Sequence, residues 1–128
     1  MKRHDARQKA LQVLFQLDST ELPIEEAIGH VLEEQSSNAF FEQLVRGTAE
    51  QKEKIDAALS DKLENWTLNR LPKIERTVLR LAVYELLFMP DTPNRVVLNE
   101  AIELCKVFGD DKSSKFVNGV LSKFTEQA

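Results

Sequence analysis

The sequence predicts an all-α protein, built as two packed three-helix bundles that form one compact domain of six to seven helices. Three observations lead there. Alternation of apolar and polar residues at period two is absent, and apolar residues recur instead at spacings of three and four. Only four glycines and four prolines punctuate the 128 residues.

The first helix is expected from about Asp5 to Leu17. Ala6, Ala10, Val13, Leu14 and Leu17 fall on one face, Leu11 and Phe15 widen it, and Asp5 suits the N-cap. Ser19 to Pro23 breaks the pattern, and Pro23 fits the first turn of a second helix. There Ile24, Ala27, Ile28, Val31 and Leu32 form the apolar stripe, with Glu25, Glu26, Glu33 and Glu34 on the wet side. Asn38 can cap the third helix, in which Phe41, Leu44, Val45, Thr48, Ile55, Leu59 and Leu63 keep helical spacing for about six turns. This is the longest element predicted. Asn65 to Asn69 interrupts it and divides the chain into helical halves at 1–65 and 66–128.

Pro72 restarts a helix. From Lys73 to Phe88 the run is apolar over most of its circumference, so this helix is predicted to be central. Pro90 and Pro93 end it. A fifth helix, near Val97 to Phe108, is expected to bury Leu98, Ala101, Ile102, Cys105 and Phe108, with Gly109 as a left-handed C-terminal residue. Asp110 or Asp111 can cap the sixth, which carries Phe116, Val117, Val120, Leu121 and Phe124.

Composition excludes several classes of function. With 42% apolar and 30% charged residues the chain fits a soluble globular protein, and about two-thirds of its surface can be buried at this length. No apolar run approaches the roughly 18 residues of a membrane span, and no signal-peptide pattern follows Met1. One cysteine allows no internal disulfide, and two histidines allow no three-histidine or HExxH metal site. A cytoplasmic protein without membrane anchor, cofactor or structural metal is expected.

The net charge of −4 conceals a segregation. Residues 1–17 sum to +3, 18–64 to −8, 65–80 to +3 and 81–128 to −2, yet Lys112, Lys115 and Lys123 share a stretch without acids. On charge alone, basic clusters of this size read first as solvated helix ends. Gathered into one patch, the three islands would attract a polyanion.

Little in the sequence carries catalysis. Cys105 lies on an apolar helix face and reads as a small buried hydrophobe. His4 and His30 have no ligand cluster around them, and Gly29, Gly47, Gly109 and Gly119 stand singly rather than in a phosphate-binding loop. Glu100 and Glu103 read as a solvated face. Arg80, set among Val78, Leu79, Leu81 and Ala82, is expected to pair with Glu85, Glu100 or Glu103. Phe41, Tyr84 and Phe108 are assigned to the core, Trp66 to the join between the halves, and Phe15 and Phe116 lie within reach of basic islands. An enzyme is not expected.

Two stretches are more specific than composition. The first is Thr77-Val78-Leu79-Arg80-Leu81-Ala82-Val83-Tyr84-Glu85-Leu86. The second is Asn99-Glu100-Ala101-Ile102-Glu103-Leu104-Cys105-Lys106-Val107-Phe108-Gly109, followed by Lys115-Phe116-Val117-Asn118-Gly119-Val120-Leu121. With the opening Ala6-Arg7-Gln8-Lys9-Ala10-Leu11-Gln12-Val13-Leu14-Phe15, the chain resembles the bacterial transcription antitermination factors of the NusB family over nearly its whole length. The resemblance implies a single helical domain over 1–128 that binds boxA RNA together with NusE, a small-subunit ribosomal protein. It further implies that the pair joins RNA polymerase and other Nus factors, chiefly on ribosomal RNA operons.

The family's arginine-rich N-terminus, an RNA contact, corresponds here to Lys2, Arg3 and Arg7; His4 and Asp5 stand where some relatives have further arginines, so weaker affinity for RNA alone is expected. Lys112 to Phe116 and Glu75, with Phe15 nearby, match positions the family uses at its RNA and NusE surfaces. If the first helix packs across the ends of the fourth and sixth, single-stranded RNA would lie over Arg3, Arg7, Arg70, Lys112 and Lys115, with bases stacked on Phe15 or Phe116. Lys2 joins the phosphate contacts and Glu75 the protein contacts. Two rivals stand beside this reading. A methyltransferase front would need a catalytic domain after Ala128, and a non-RNA-binding adaptor would need only an acidic face with exposed aromatics.

Overall fold

The computed structural model describes residues 1–125. Seven α-helices and one 3₁₀ turn make up the described residues: α1 (Arg3–Ser19), α2 (Ile24–Leu32), α3 (Ala39–Glu50), α4 (Lys52–Lys62), the turn Leu68–Arg70, α5 (Lys73–Phe88), α6 (Asn94–Phe108) and α7 (Asp111–Thr125). The all-α expectation holds, and no helix among these residues is long and apolar enough to cross a membrane.

The start signals act as the sequence suggests, with one exception. Asn38 Oδ1 accepts from the Phe41 N–H at 2.8 Å and Asp110 Oδ1 from the Ser113 N–H at 2.7 Å, capping α3 and α7. Pro23 and Pro72 stand at the N-cap, where the missing N–H costs nothing; Pro93, expected only to end the preceding helix, does the same for α6, which starts at Asn94 rather than near Val97. Asp5 does not cap α1. That helix starts two residues earlier, with Ala6 N–H bonded to the Lys2 carbonyl, and leaves Asp5 in the first turn facing the positive end of the helix.

The long third helix is two helices. Gln51 adopts φ −96° and ψ 14° between α3 and α4, while the Gln51 N–H still bonds to Gly47 and its carbonyl still receives Ile55. Between Thr48 and Ile55 no side chain of the apolar stripe anchors the turn, and neither proline nor glycine signals the break at Gln51. α4 then packs against α5 and α7, beside the second half of the chain.

One buried cluster draws on all seven helices, with Leu11, Phe41, Leu44, Ile55, Leu59, Leu79, Leu81 and Leu121 at its centre. α5 is the central helix, in contact with α1, α3, α4, α6 and α7. Tyr84 of α5 lies against the backbone of Gly47, where a Cβ would overlap its ring and hydroxyl. Two expectations for α6 fail at its C-terminal end. Phe108 is 38% exposed because it lies past the last turn that α5 and α7 cover. Gly109 has φ −130°, not a left-handed value; it is suited by closeness, since a Cβ would come 3.0 Å from the Cys105 carbonyl oxygen.

Candidate nucleic-acid interface

α1 runs antiparallel to α5, and this sets which charges are consumed inside the fold. At one end Arg7 Nε and Nη2 donate to Glu85 Oε1 and Oε2 at 2.7 and 2.9 Å, with Arg7 3% and Glu85 2% exposed. At the other end Asp18 accepts from Arg76 at 2.5 Å and from Arg80 at 2.8 Å, and Arg80 forks onto both Asp56 oxygens at 2.8 and 3.1 Å. Burial pushes the Asp18 carboxyl up, but the hydrogen bonds and charges of Arg76 and Arg80 outweigh it and hold the group below the usual carboxylate range.

Two sequence expectations change accordingly. Arg80 pairs with Asp18 and Asp56 rather than Glu85, Glu100 or Glu103, because α1's direction brings Asp18, not its N-terminal end, level with Arg80. Arg7 is no surface group: its guanidinium is enclosed and both carboxylate oxygens of Glu85 are spent on it, so it cannot also hold a phosphate.

The remaining basic residues gather in separate neighbourhoods. At the start of α1, Lys2 and Arg3 are exposed, and the Arg3 guanidinium stands 4.4 Å over the Phe40 ring. Beside them His4 Nδ1 is 2.9 Å from Glu100 Oε2, and hydrogen bonding to Glu100 raises the His4 pKa. Phe15 lies roughly 18 Å further along the same helix. It is 37% exposed, with Lys73 Nζ 4.0 Å over its ring, and it forms with Leu11, Ile74 and Phe108 a groove of about 330 Å³. Glu75, 8% exposed, lies under this end of α5; burial pushes its carboxyl up, opposed by Ser113 and Lys112 and reinforced by Asp110.

Lys115 is exposed on α7, next to Phe116, whose ring meets Trp66 edge to face at 6.3 Å between centroids. Lys62 and Lys123 line the same groove. Arg70 is exposed on the turn before α5, and Lys112 on the first turn of α7. Two of these cations sit over aromatic rings, Arg3 over Phe40 and Lys73 over Phe15, and roughly 18 Å of α1 separates the two pairs. Phe40 was not singled out from sequence, while Lys73 was read only as part of the 65–80 island and Trp66, one of several rings able to stack bases, was placed at the join between the halves. Phe40 could have been, since it falls off the stripe that holds Phe41. Trp66 does not plug the join; it is 55% exposed.

The only thiol offers no chemistry to this surface. Cys105 is fully buried, and burial, with Glu75 and Asp110 nearby, pushes its pKa up to about 12.

The NusB family model matches residues 4–126. The chain belongs to the NusB family. The NusB protein of Lysinibacillus sphaericus (strain C3-41), a transcription antitermination protein, is 74% identical over 127 residues, covering 99% of each chain. That of Bacillus subtilis (strain 168) is 52% identical over 122 residues, covering 95% of this chain and 93% of its own. Among solved structures, T. maritima NusB aligns with a TM-score of 0.87 at 38% identity, over 96% of this chain and 89% of the other. A crystal structure of the antitermination factors NusB and NusE in complex with dsRNA aligns with a TM-score of 0.85 at 33% identity, covering 96% of both chains. The NusB resemblance read from the sequence and the all-helical fold are thus both found.

Proposed function

We propose that this chain is a transcription antitermination factor that binds boxA-type single-stranded RNA together with NusE and joins RNA polymerase and other Nus factors in the cytoplasm, chiefly on ribosomal RNA operons. The observation that carries the reading is the pairing of surface cations with aromatic rings: exposed Arg3 over half-buried Phe40, half-buried Lys73 over exposed Phe15, and exposed Lys115 next to half-buried Phe116. Cations hold phosphates irrespective of sequence, while π-faces stack unpaired bases. Lys2, Arg3, Arg70, Lys112 and Lys115 are the phosphate contacts of this reading, and Phe15 and Phe116 its stacking contacts. The solved relative with NusE and dsRNA supports RNA and NusE as the partners. Glu75 is the protein-side residue of this reading, although its carboxylate is largely covered. The function is binding, not catalysis, and the whole of 1–128 acts as one domain, because the Arg7–Glu85 pair and the shared core tie the halves 1–65 and 66–128 together.

A second reading is favoured by one observation: Phe15 and Phe108 expose apolar surface along one groove, as a protein-only adaptor would require. Fluorescence anisotropy of labelled boxA RNA against a scrambled strand, with and without NusE and at two salt concentrations, separates the two. Sharper binding to boxA in the presence of NusE supports antitermination. NusE binding with no RNA binding under any condition supports the adaptor.

A further inference from the structure

Trp66 is the most exposed aromatic side chain among the described residues, 55% open to solvent, although it sits in the short connection between α4 and α5 rather than at a chain end. Burying an indole recovers more apolar area than burying almost any other side chain, so one left this open has a surface to meet. Its ring is not mobile in isolation, because it stands nearly perpendicular to Phe116 at an interplanar angle of 79°. The two rings form a corner of a groove of about 290 Å³ whose other walls include Lys62, Lys115 and Lys123. Lys62 Nζ lies over the Phe124 ring at 5.8 Å, and Lys123 Nζ is held by the Lys62 carbonyl at 3.1 Å and faces Glu64 at 3.3 Å. Lys115 is the exposed cation of the set, Lys62 and Lys123 being half-buried.

The groove floor adds a second observation. Gly119 lines it from within α7, and a Cβ there would meet nothing within 4 Å. A glycine inside a helix is less stable than alanine by about 0.5 to 1 kcal/mol, and no neighbour in the fold requires one here. The open backbone leaves room for a flat group to lie deep in the corner. On its other side Trp66 borders a second cleft with Ser60, Thr67 and Asn69, so the indole stands between two recesses.

We propose that Trp66 and Phe116 form a base-stacking corner in which one unpaired base of a bound single-stranded RNA lies over Gly119, with its flanking phosphate on Lys115. This rests on the RNA-binding reading above and extends it: the corner takes an unpaired base and no paired one, because a base held in a duplex cannot enter between two perpendicular rings.

Trp66 is the sole tryptophan, so its emission reports this corner directly. The full chain is titrated with a labelled boxA-type single strand, with NusE present, following RNA anisotropy and, in a tryptophan-free preparation of NusE, the Trp66 emission. Quenching that saturates with the anisotropy is expected, with none from an RNA duplex. Trp66→Ala is expected to weaken binding about tenfold and Trp66→Phe to restore most of it. Gly119→Ala is expected to raise the melting temperature while lowering affinity, two effects that misfolding cannot produce together. RNA that binds without changing Trp66 emission, with Trp66→Ala at wild-type affinity, would overturn the stacking corner and leave the RNA reading standing. Anisotropy that never rises for any RNA would overturn both.

Discussion

Removing the Arg7 guanidinium separates its two contending roles. In Arg7→Ala the Glu85 carboxylate, 2% exposed and bonded through both oxygens to Arg7 at 2.7 and 2.9 Å, loses its partner without gaining water. Breaking one side of such a buried pair costs about 3 to 5 kcal/mol. With about 2.1 cal/mol/K of unfolding entropy per residue near the midpoint, 128 residues give roughly 270 cal/mol/K, so the melting temperature should fall by about 11 to 19 °C. Thermal melts followed by far-ultraviolet circular dichroism at pH 7 measure this. The double substitution Arg7→Met with Glu85→Leu removes both charges and fills the space with apolar atoms, and it should recover most of the loss. A variant Arg7→Ala that melts within about 2 °C of the parent yet binds RNA much more weakly would refute the argument and return Arg7 to the RNA surface.

Three further outcomes follow from local geometry. Gly47→Ala should destabilise the fold by about 1 to 3 kcal/mol, because a Cβ there overlaps the Tyr84 ring and forces α3 away from α5; a urea melt of the variant reads the change. Glu33 has φ 54° and ψ −112° at the second position of a tight turn closed by the Gln35 N–H on the Leu32 carbonyl, so Glu33→Gly should stabilise by about 1 kcal/mol, seen as a higher midpoint in the same melt. The His4 pKa is raised first by its hydrogen bond to Glu100, then by that group's charge. Its contribution to stability is therefore fully present below the unfolded value near 6.5 and is lost as pH rises through the higher folded value. An NMR titration of the His4 ring should give a midpoint above that of His4 in a Glu100→Gln variant; equal midpoints would remove the pair.

Much of the architecture was legible because helices announce themselves locally. Prolines at 23 and 72, Asn38 and Asp110 mark starts through the backbone groups they lack or satisfy, and the near-continuous apolar run from Ile74 to Leu87 marks α5 as the helix that others surround. The bend at Gln51 was not legible. Nothing in its chemistry opposes a helix; only its backbone, at φ −96° and ψ 14°, departs from helical values. Phe108 misled for a different reason: its spacing places it on the buried face of α6, but spacing does not say where the neighbouring helices stop.

The site shows the same division more sharply. Which residues carry charge, and that three basic islands alternate with acidic helices, is fixed by the chain alone, as is the family motif from Asn99 to Leu121. Which charges remain free is a property of the packing. Arg3 and Arg7 stand one turn apart on α1 and look equivalent in one dimension. Only the antiparallel seating of α1 on α5 encloses one against Glu85 and leaves the other open over Phe40. A periodic pattern encodes the face a residue occupies, because helical geometry repeats every 3.6 residues. The partner that meets this face comes from an element far away in sequence, and that encounter exists only once the chain is folded.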